Sequence, residues 1–322
     1  MRLATLGLGA LALVVSAAPA AAQTYPGTKP VRLIVPMTPG GGTDILSRVI
    51  ANKLQEQSYT VVVENRPGAG GNIGADVAAK AAPDGYTMVM GQTSNLAINP
   101  TLYPHLSFDP LKDFAPVVLV ADAPLVMVVR AQSPIKSVAD LVAAAKSKPA
   151  SLTMASPGNG TASHLSSELF QIAAGIKLVH VPYKGAAQAT TDVLGGQVDM
   201  MMSSVPSAMG QIQQGTLRAI AVTSSKRSSA LPDVPTLAEA GYPGFNATSW
   251  YGLLMPAGTP QAIVNQLNAQ VNKVLQTADI RDKVALEGGN VLGGSPQDFA
   301  DLLKSEYAKW SSAVKASGAK IN

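Results

Sequence analysis

The chain has 322 residues, 47% hydrophobic and 14% charged, with a formal net charge of +4 and no cysteine. That apolar content supports about two domains with real cores, and the missing cysteine excludes disulfides, thiolate metal sites and a Cys nucleophile. There is no Lys/Arg block and no basic stripe with interleaved aromatics, which argues against nucleic acid as a partner.

The first segment, MRLATLGLGALALVVSAAPAAAQ, places Arg2 before an apolar stretch through Val15 and small residues up to Ala20, Ala21 and Ala22. This is the layout of a secretory signal peptide, residues 1–22, with cleavage expected after Ala22. Its apolar core is short for a membrane span. The expected product is periplasmic, not membrane-anchored and monomeric.

From residue 31 the pattern alternates. VRLIV (31–35) reads as a strand, and 45–57 as a helix with apolar Ile45, Leu46, Val49, Ile50 and Leu54. A strand follows at 59–66, then a glycine turn and helix, then a strand at 86–93. A long β-rich passage leads to SVADLVAAAKSK (137–148), where Ser137 and Asp140 form a capping-box pattern. The rhythm repeats over 151–175, 176–196 and 198–215, so that the glycine turn at Gly40, Gly41 and Gly42 has a counterpart at Gly158 and Gly160. Successive strand–turn–helix units predict an α/β protein with parallel-rich sheets flanked by helices. We read two similar lobes: residues 23–123 plus 247–322, and residues 124–246. The passages ADAPLVMVV and FNATSWYGLL act as hinge strands, and Trp250 lies on the second. Near the end, Thr259-Pro260 and Ser295-Pro296 each read as an N-cap followed by proline at N1. Phe299, Leu302, Leu303, Tyr307, Trp310 and Val314 share one helical face, which predicts that the last helix packs back onto a lobe.

The junctions between strand and helix carry the functional signal. The first N–H groups of a helix lack intrahelical partners, and the helix dipole adds partial positive charge there. No Lys follows the glycines as a Walker loop requires, and GGGTDI does not fit a dinucleotide fingerprint. Hydroxyls and amides cluster at the turns instead: Thr43, Gln92, Thr93, Ser94, Ser156, Asn159, Thr161, Ser163 and Ser203. Such a set suits a carboxylate. Helix capping alone also accounts for Thr43, Asp44, Thr161 and Ser163.

The motifs VPMTPGGGTD, ENRPGAGGNIGA, PDGYT, SPGNGTASH, VPYKG, GGQVDMM, LPDVPTLAEAGYPGF and LMPAGTP occur in this order. Together they resemble the Bug family, the periplasmic solute-binding proteins of tripartite tricarboxylate transporters. The resemblance spans the whole mature chain. It implies a two-lobed, type II periplasmic-binding-protein fold closing on a small carboxylate, with inner-membrane transporter subunits as partners. It also implies ligand contacts from Gly40, Gly41, Gly42, Thr43 and Asp44, from Gln92, Thr93 and Ser94, and from Ser156, Asn159, Gly160, Thr161, Ser163 and His164. Tyr183 and Gly185 of VPYKG join them. Met37 stands where the family often has an aromatic, which suits an aliphatic ligand.

No cofactor is implied. His164 and Glu168 are spaced for a metal pair, but only three histidines exist and capping or ligand contact is the stronger reading. Two other functions compete with solute capture for transport. An exported hydrolase would lack G-x-S-x-G and H-E-x-x-H, leaving only a Ser–His pair from Ser163 or Ser203. A ligand-binding co-receptor for a membrane sensor would use the same cleft.

Overall fold

A computed structural model describes residues 25–39, 42–183, 185–286 and 288–321. The signal segment and the ligand candidates Gly40 and Gly41 lie outside the described residues. The chain begins with β1 (Val31–Val35), α1 (Gly42–Gln55), β2 (Val61–Asn65), α2 (Asn72–Ala79), β3 (Thr87–Gln92), α3 (Asn99–Leu102) and β4 (Phe114–Ala123). It continues with β5 (Leu125–Arg130), α4 (Val138–Ser147), β6 (Thr153–Ser156), α5 (Ala162–Ala174), β7 (Val179–Pro182), α6 (Ala186–Leu194), β8 (Met200–Ser204), α7 (Val205–Gln213) and β9 (Leu217–Val222). It closes with β10 (Ser249–Pro256), α8 (Gln261–Leu275), α9 (Ala278–Leu286), β11 (Asn290–Val291) and α10 (Pro296–Ser317).

These strands form two mixed sheets, ordered β11-β4-β10-β3-β1-β2 and β7-β6-β8-β5-β9. The two are built alike. In the first, β1 pairs in parallel with β2 and β3, while β10 runs antiparallel between β3 and β4. In the second, β6 pairs in parallel with β7 and β8, while β5 runs antiparallel between β8 and β9. Strand–helix–strand units supply the parallel pairs, as a crossover helix requires. The two strands that carry the chain between sheets, β5 and β10, supply antiparallel ones. This makes the sheets mixed where sequence rhythm alone suggests mostly parallel pairing.

Each sheet is covered on both faces. Along β1, Val31 and Leu33 enter a core with Leu46, Ile50 and Leu54 of α1 and Leu267 and Val271 of α8. Ile34 points the other way, toward α2 and the Phe299, Leu303 and Trp310 stripe of α10. Fully burying one such side chain contributes about 1.5–3 kcal/mol. The second sheet packs α4 and α5 on one face and α6 and α7 on the other. Leu165 of α5 joins the core under α10, so the two lobes touch.

Of the three caps read near Ser137, Thr259 and Ser295, two form. Ser137 Oγ accepts the Asp140 N–H at 3.1 Å, and Ser295 with Asp298 forms a reciprocal capping box. Thr259 does not cap α8. Its Oγ1 donates to Pro256 O at 2.8 Å, and Pro260 holds the N-cap position without a side-chain bond.

The crossings are short and specified. Pro124 separates β4 from β5; without an N–H it cannot extend the ladder of either sheet. Thr223, just past β9, clasps both crossings: its Oγ1 accepts the Leu125 N–H at 3.0 Å and donates to Ala247 O at 2.8 Å. Trp250 follows the return crossing, 2% exposed, and its indole N–H donates to Glu306 of α10.

Candidate functional site

A cavity of about 280 Å³ opens between the two sheets. The first lobe contributes Met37 after β1, Gly70 from the turn after β2, Gln92, Thr93 and Ser94 at the end of β3, Asn99 and Tyr103 around α3, and Ser249 and Tyr251 of β10. The second contributes Asn159, Gly160, Thr161 and Ala162, between β6 and α5. Loops at the carboxyl ends of parallel strands therefore face each other, the usual ligand position in open α/β sheets.

The first-lobe wall is a continuous hydrogen-bonded chain. Thr43 Oγ1, at the start of α1, donates to Gln92 Oε1 at 2.6 Å. Gln92 Nε2 donates to Ser94 Oγ at 2.7 Å, and Ser94 Oγ reaches Gly70 O. Asn99 Nδ2 also donates to Gly70 O, at 3.1 Å, and to Asn72 Oδ1 at 2.7 Å. Because Thr43 occupies the Gln92 carbonyl, the Gln92 amide nitrogen turns toward Ser94 and the cavity side. Burial pushes the Tyr103 phenol up from its ordinary value, so it remains a protonated donor at neutral pH.

The second-lobe wall is a helix start. Thr161 caps α5, its Oγ1 accepting the His164 N–H at 3.3 Å. The N–H groups of Ala162 and Ser163 precede any intrahelical acceptor. They lie at the positive end of a helix whose first residue lines the cavity. Among the described residues, no side chain lining the cavity is charged. The wall is thus rich in neutral donors, which match an acceptor-only carboxylate.

Of the sequence candidates, the cavity gathers Met37, Gln92, Thr93, Ser94, Asn159, Gly160 and Thr161. The other described candidates stand behind it or apart from it. Thr43 is a buttress for Gln92. Asp44, 3% exposed, is held by Arg48 Nε at 3.0 Å and Asn65 Nδ2 at 2.9 Å. Gly42 opens α1. Ser163 Oγ turns inward to the carbonyl of Met202, and Ser203 Oγ is buried without a hydrogen-bond partner. Tyr183 donates to Asp192 at 2.6 Å, and burial together with that carboxylate pushes its phenol up to about 12. Gly185 holds the N-cap position of α6. Ser156 and His164 support the second-lobe loop. His164 Nε2 is 3.7 Å from Glu168, and among the described residues no cluster of His, Asp and Glu is arranged for a metal.

Sequence reasoning missed Gly70, Asn99, Tyr103, Ala162, Ser249 and Tyr251. Asn99 and Tyr103 flank a proline at the second position of α3, a helix-start signal. Tyr251 has no local signal. It arrives because β10 pairs antiparallel with β3 in the register Tyr251 opposite Gln92.

The chain matches the family model described as the tripartite tricarboxylate transporter family receptor over residues 46–319. BugT of Bordetella pertussis is 39% identical over 307 residues, covering 95% of this chain and 94% of that protein. Among solved structures, an R. palustris protein with adipate superposes with a TM-score of 0.81 at 38% identity, covering 92% of this chain and 99% of that one. The periplasmic binding protein BugD gives 0.76 at 35%, covering 90% and 98%. MatC from Rhodopseudomonas palustris, with bound malate, gives 0.75 at 34%, covering 88% and 98%. The fold shared with these neighbours is that of periplasmic binding proteins, and the family is one of solute-binding receptors, not of enzymes.

Proposed function

The chain belongs to the tripartite tricarboxylate transporter receptor family, and from that premise we propose that it captures an aliphatic dicarboxylate of malate-to-adipate size and delivers it to inner-membrane transporter subunits. The observation that carries this reading is the cavity: about 280 Å³, with no charged side chain among the described residues that line it, and with neutral donors from both lobes. Solved relatives hold adipate and malate. Met37 supplies a soft apolar wall for a methylene chain. One carboxylate fits the Gln92–Ser94 side and the other the free N–H groups at the start of α5. Asp44 is already engaged by Arg48 and Asn65, which removes the main reason to expect an ammonium group on the ligand.

We place the mature protein in the periplasm as a monomer, after removal of residues 1–22. Among the described residues no helix is long and apolar enough to cross a membrane. We place the lobe boundaries where the chain changes sheets, giving 23–123 plus 247–322 and 124–246. Closure is a rotation about the two crossings.

A thermal-shift screen tests this. Residues 23–322 are unfolded, refolded free of carried ligand and heated with mono-, di- and tricarboxylates, aromatic acids and amino acids. A ligand that binds only the native state at a hundred times its Kd adds about 2.7 kcal/mol of stability. An aliphatic dicarboxylate is expected to raise the Tm most. A shift confined to amino acids or to aromatic acids would overturn the assignment.

A further inference from the structure

The loop that brings Asn159, Gly160 and Thr161 to the cavity rests on two imidazoles. His164 Nδ1 accepts the Gly160 N–H at 3.1 Å. The His164 ring stacks on that of His180, with centroids 3.9 Å apart and planes 7° apart. His180 shares a 2.7 Å hydrogen bond with Ser156 Oγ through Nε2. Ser156 Oγ in turn meets the Gly158 carbonyl at 3.0 Å and the Gly158 N–H at 3.2 Å. The histidine pair therefore grips the loop at two points, Gly158 and Gly160.

We infer that His164 and His180 are positioning residues for the ligand loop, and that protonating His164 releases it, making ligand capture strong at neutral pH and weak in acid. This rests on the cavity being the ligand site.

The chemistry of the contact demands neutrality. Nδ1 of His164 accepts a hydrogen bond, which only the unprotonated nitrogen can do. Protonated, it would present an N–H to the Gly160 N–H. A second proton on His180 would then place two like charges in a stack. The charged and titratable groups around the pair do little to offset this. Glu168, on α5 itself, is 3.7 Å from His164 Nε2, and burial raises its carboxyl. Lys146 of α4 and Lys177 before β7 line the groove beside Glu168, while α10 presents uncharged Ala316 and Ser317 there. Asp199, just before β8, is bound to Thr153, and Asp192 of α6 to Tyr183.

The sign follows from these surroundings. Burial, then His180, lowers His164 from its ordinary 6.5 to about 4, and burial lowers His180 as well. The held loop thus binds fewer protons than a released loop with solvated imidazoles. Between pH 6.5 and 4 the ratio of held to released loop falls with acid by about tenfold per pH unit for one coupled proton, and it levels off below 4.

Two measurements test the inference. The first needs no ligand: imidazole and amide NMR of residues 23–322 from pH 8 to 4. His164 is expected to remain neutral, protonated on Nε2, to well below pH 6, with the Gly160 amide resonance moving at the same midpoint. A His164 that titrates at its ordinary value while the Gly160 amide stays fixed would overturn the inference. The second is calorimetric titration with adipate from pH 7.5 to 4.5 on the parent protein, His164→Ala and His164→Asn. At pH 7.5 His164→Ala should weaken binding tenfold or more. His164→Asn, whose Oδ1 stands near the place of Nδ1, should recover most of that and lose the excess pH slope. The titration of adipate itself is common to all three proteins and cancels. An identical slope in His164→Asn and the parent would sink the inference. If adipate binds at no pH, the dicarboxylate assignment fails and the NMR measurement alone decides the loop. Should His164→Ala not fold, His164→Asn and the NMR measurement still decide.

Discussion

Gly160 shows how much a single residue carries at this site. Its φ is +75°, in the left-handed region that costs an L-residue about 1–2 kcal/mol. An added Cβ would stand 2.0 Å from Leu102 Cδ2, in the opposite lobe. Leu102 is buried in the core under α10 and has little room to move. The glycine therefore serves two ends, the turn and the close approach of the lobes. Gly160→Ala should lower stability by about 1–2 kcal/mol in urea denaturation, from the backbone alone. It should also weaken adipate binding at least tenfold by calorimetry, because the loop must retreat from α3. Unchanged affinity would mean that the lobes close without this contact. At this scale the sequence was partly legible. Thr43, Gln92 and Ser94 sit at a turn and were readable as polar residues, but their division of labour was not. Thr43 supports Gln92 rather than facing the cavity, because its hydroxyl finds a carbonyl 49 positions away.

The elements divide in the same way. Strands and helices with strong periodicity, such as β1 and α1, follow from local pattern. The π-helical turn Ser94–Ile98 and the short α3 do not, since four or five residues carry no period. Tyr251 and Ser249 reach the cavity through the register of β10, a pairing between segments far apart in sequence. The crossings themselves depend on Thr223, which is fully buried. Thr223→Val keeps the shape and removes the hydroxyl, leaving the Leu125 N–H and Ala247 C=O without their shared partner. Each buried group so orphaned costs about 1–3 kcal/mol. A corresponding loss in urea-denaturation stability is expected, while Thr223→Ser should stay close to the parent. Equal loss in the serine variant would assign the effect to the methyl group instead.

At the scale of the whole molecule, the recurring strand–turn–helix unit explains both lobes, and the facing loops at the carboxyl ends of their parallel strands explain where the cavity lies. Its electrostatics is the less expected property. A chain of net charge +4 has Lys and Arg to offer an anion, yet the described residues that line the cavity are all uncharged. Recognition by pre-aimed dipoles differs from recognition by ions in one measurable respect. Charge pairs near the surface weaken as salt shortens the screening length, from about 10 Å at 0.1 M to about 3 Å at 1 M. Hydrogen bonds from neutral donors, made within a closed cleft at about 3 Å, are screened much less. Adipate affinity should therefore change by less than about threefold between 0.05 and 0.5 M sodium chloride, while the association rate slows modestly through loss of long-range steering. Calorimetry and stopped-flow fluorescence on the same samples separate the two. A steep fall in affinity with salt would require a cation at the ligand, and Lys184, outside the described residues but next to Tyr183 in VPYKG, would be the first residue to replace.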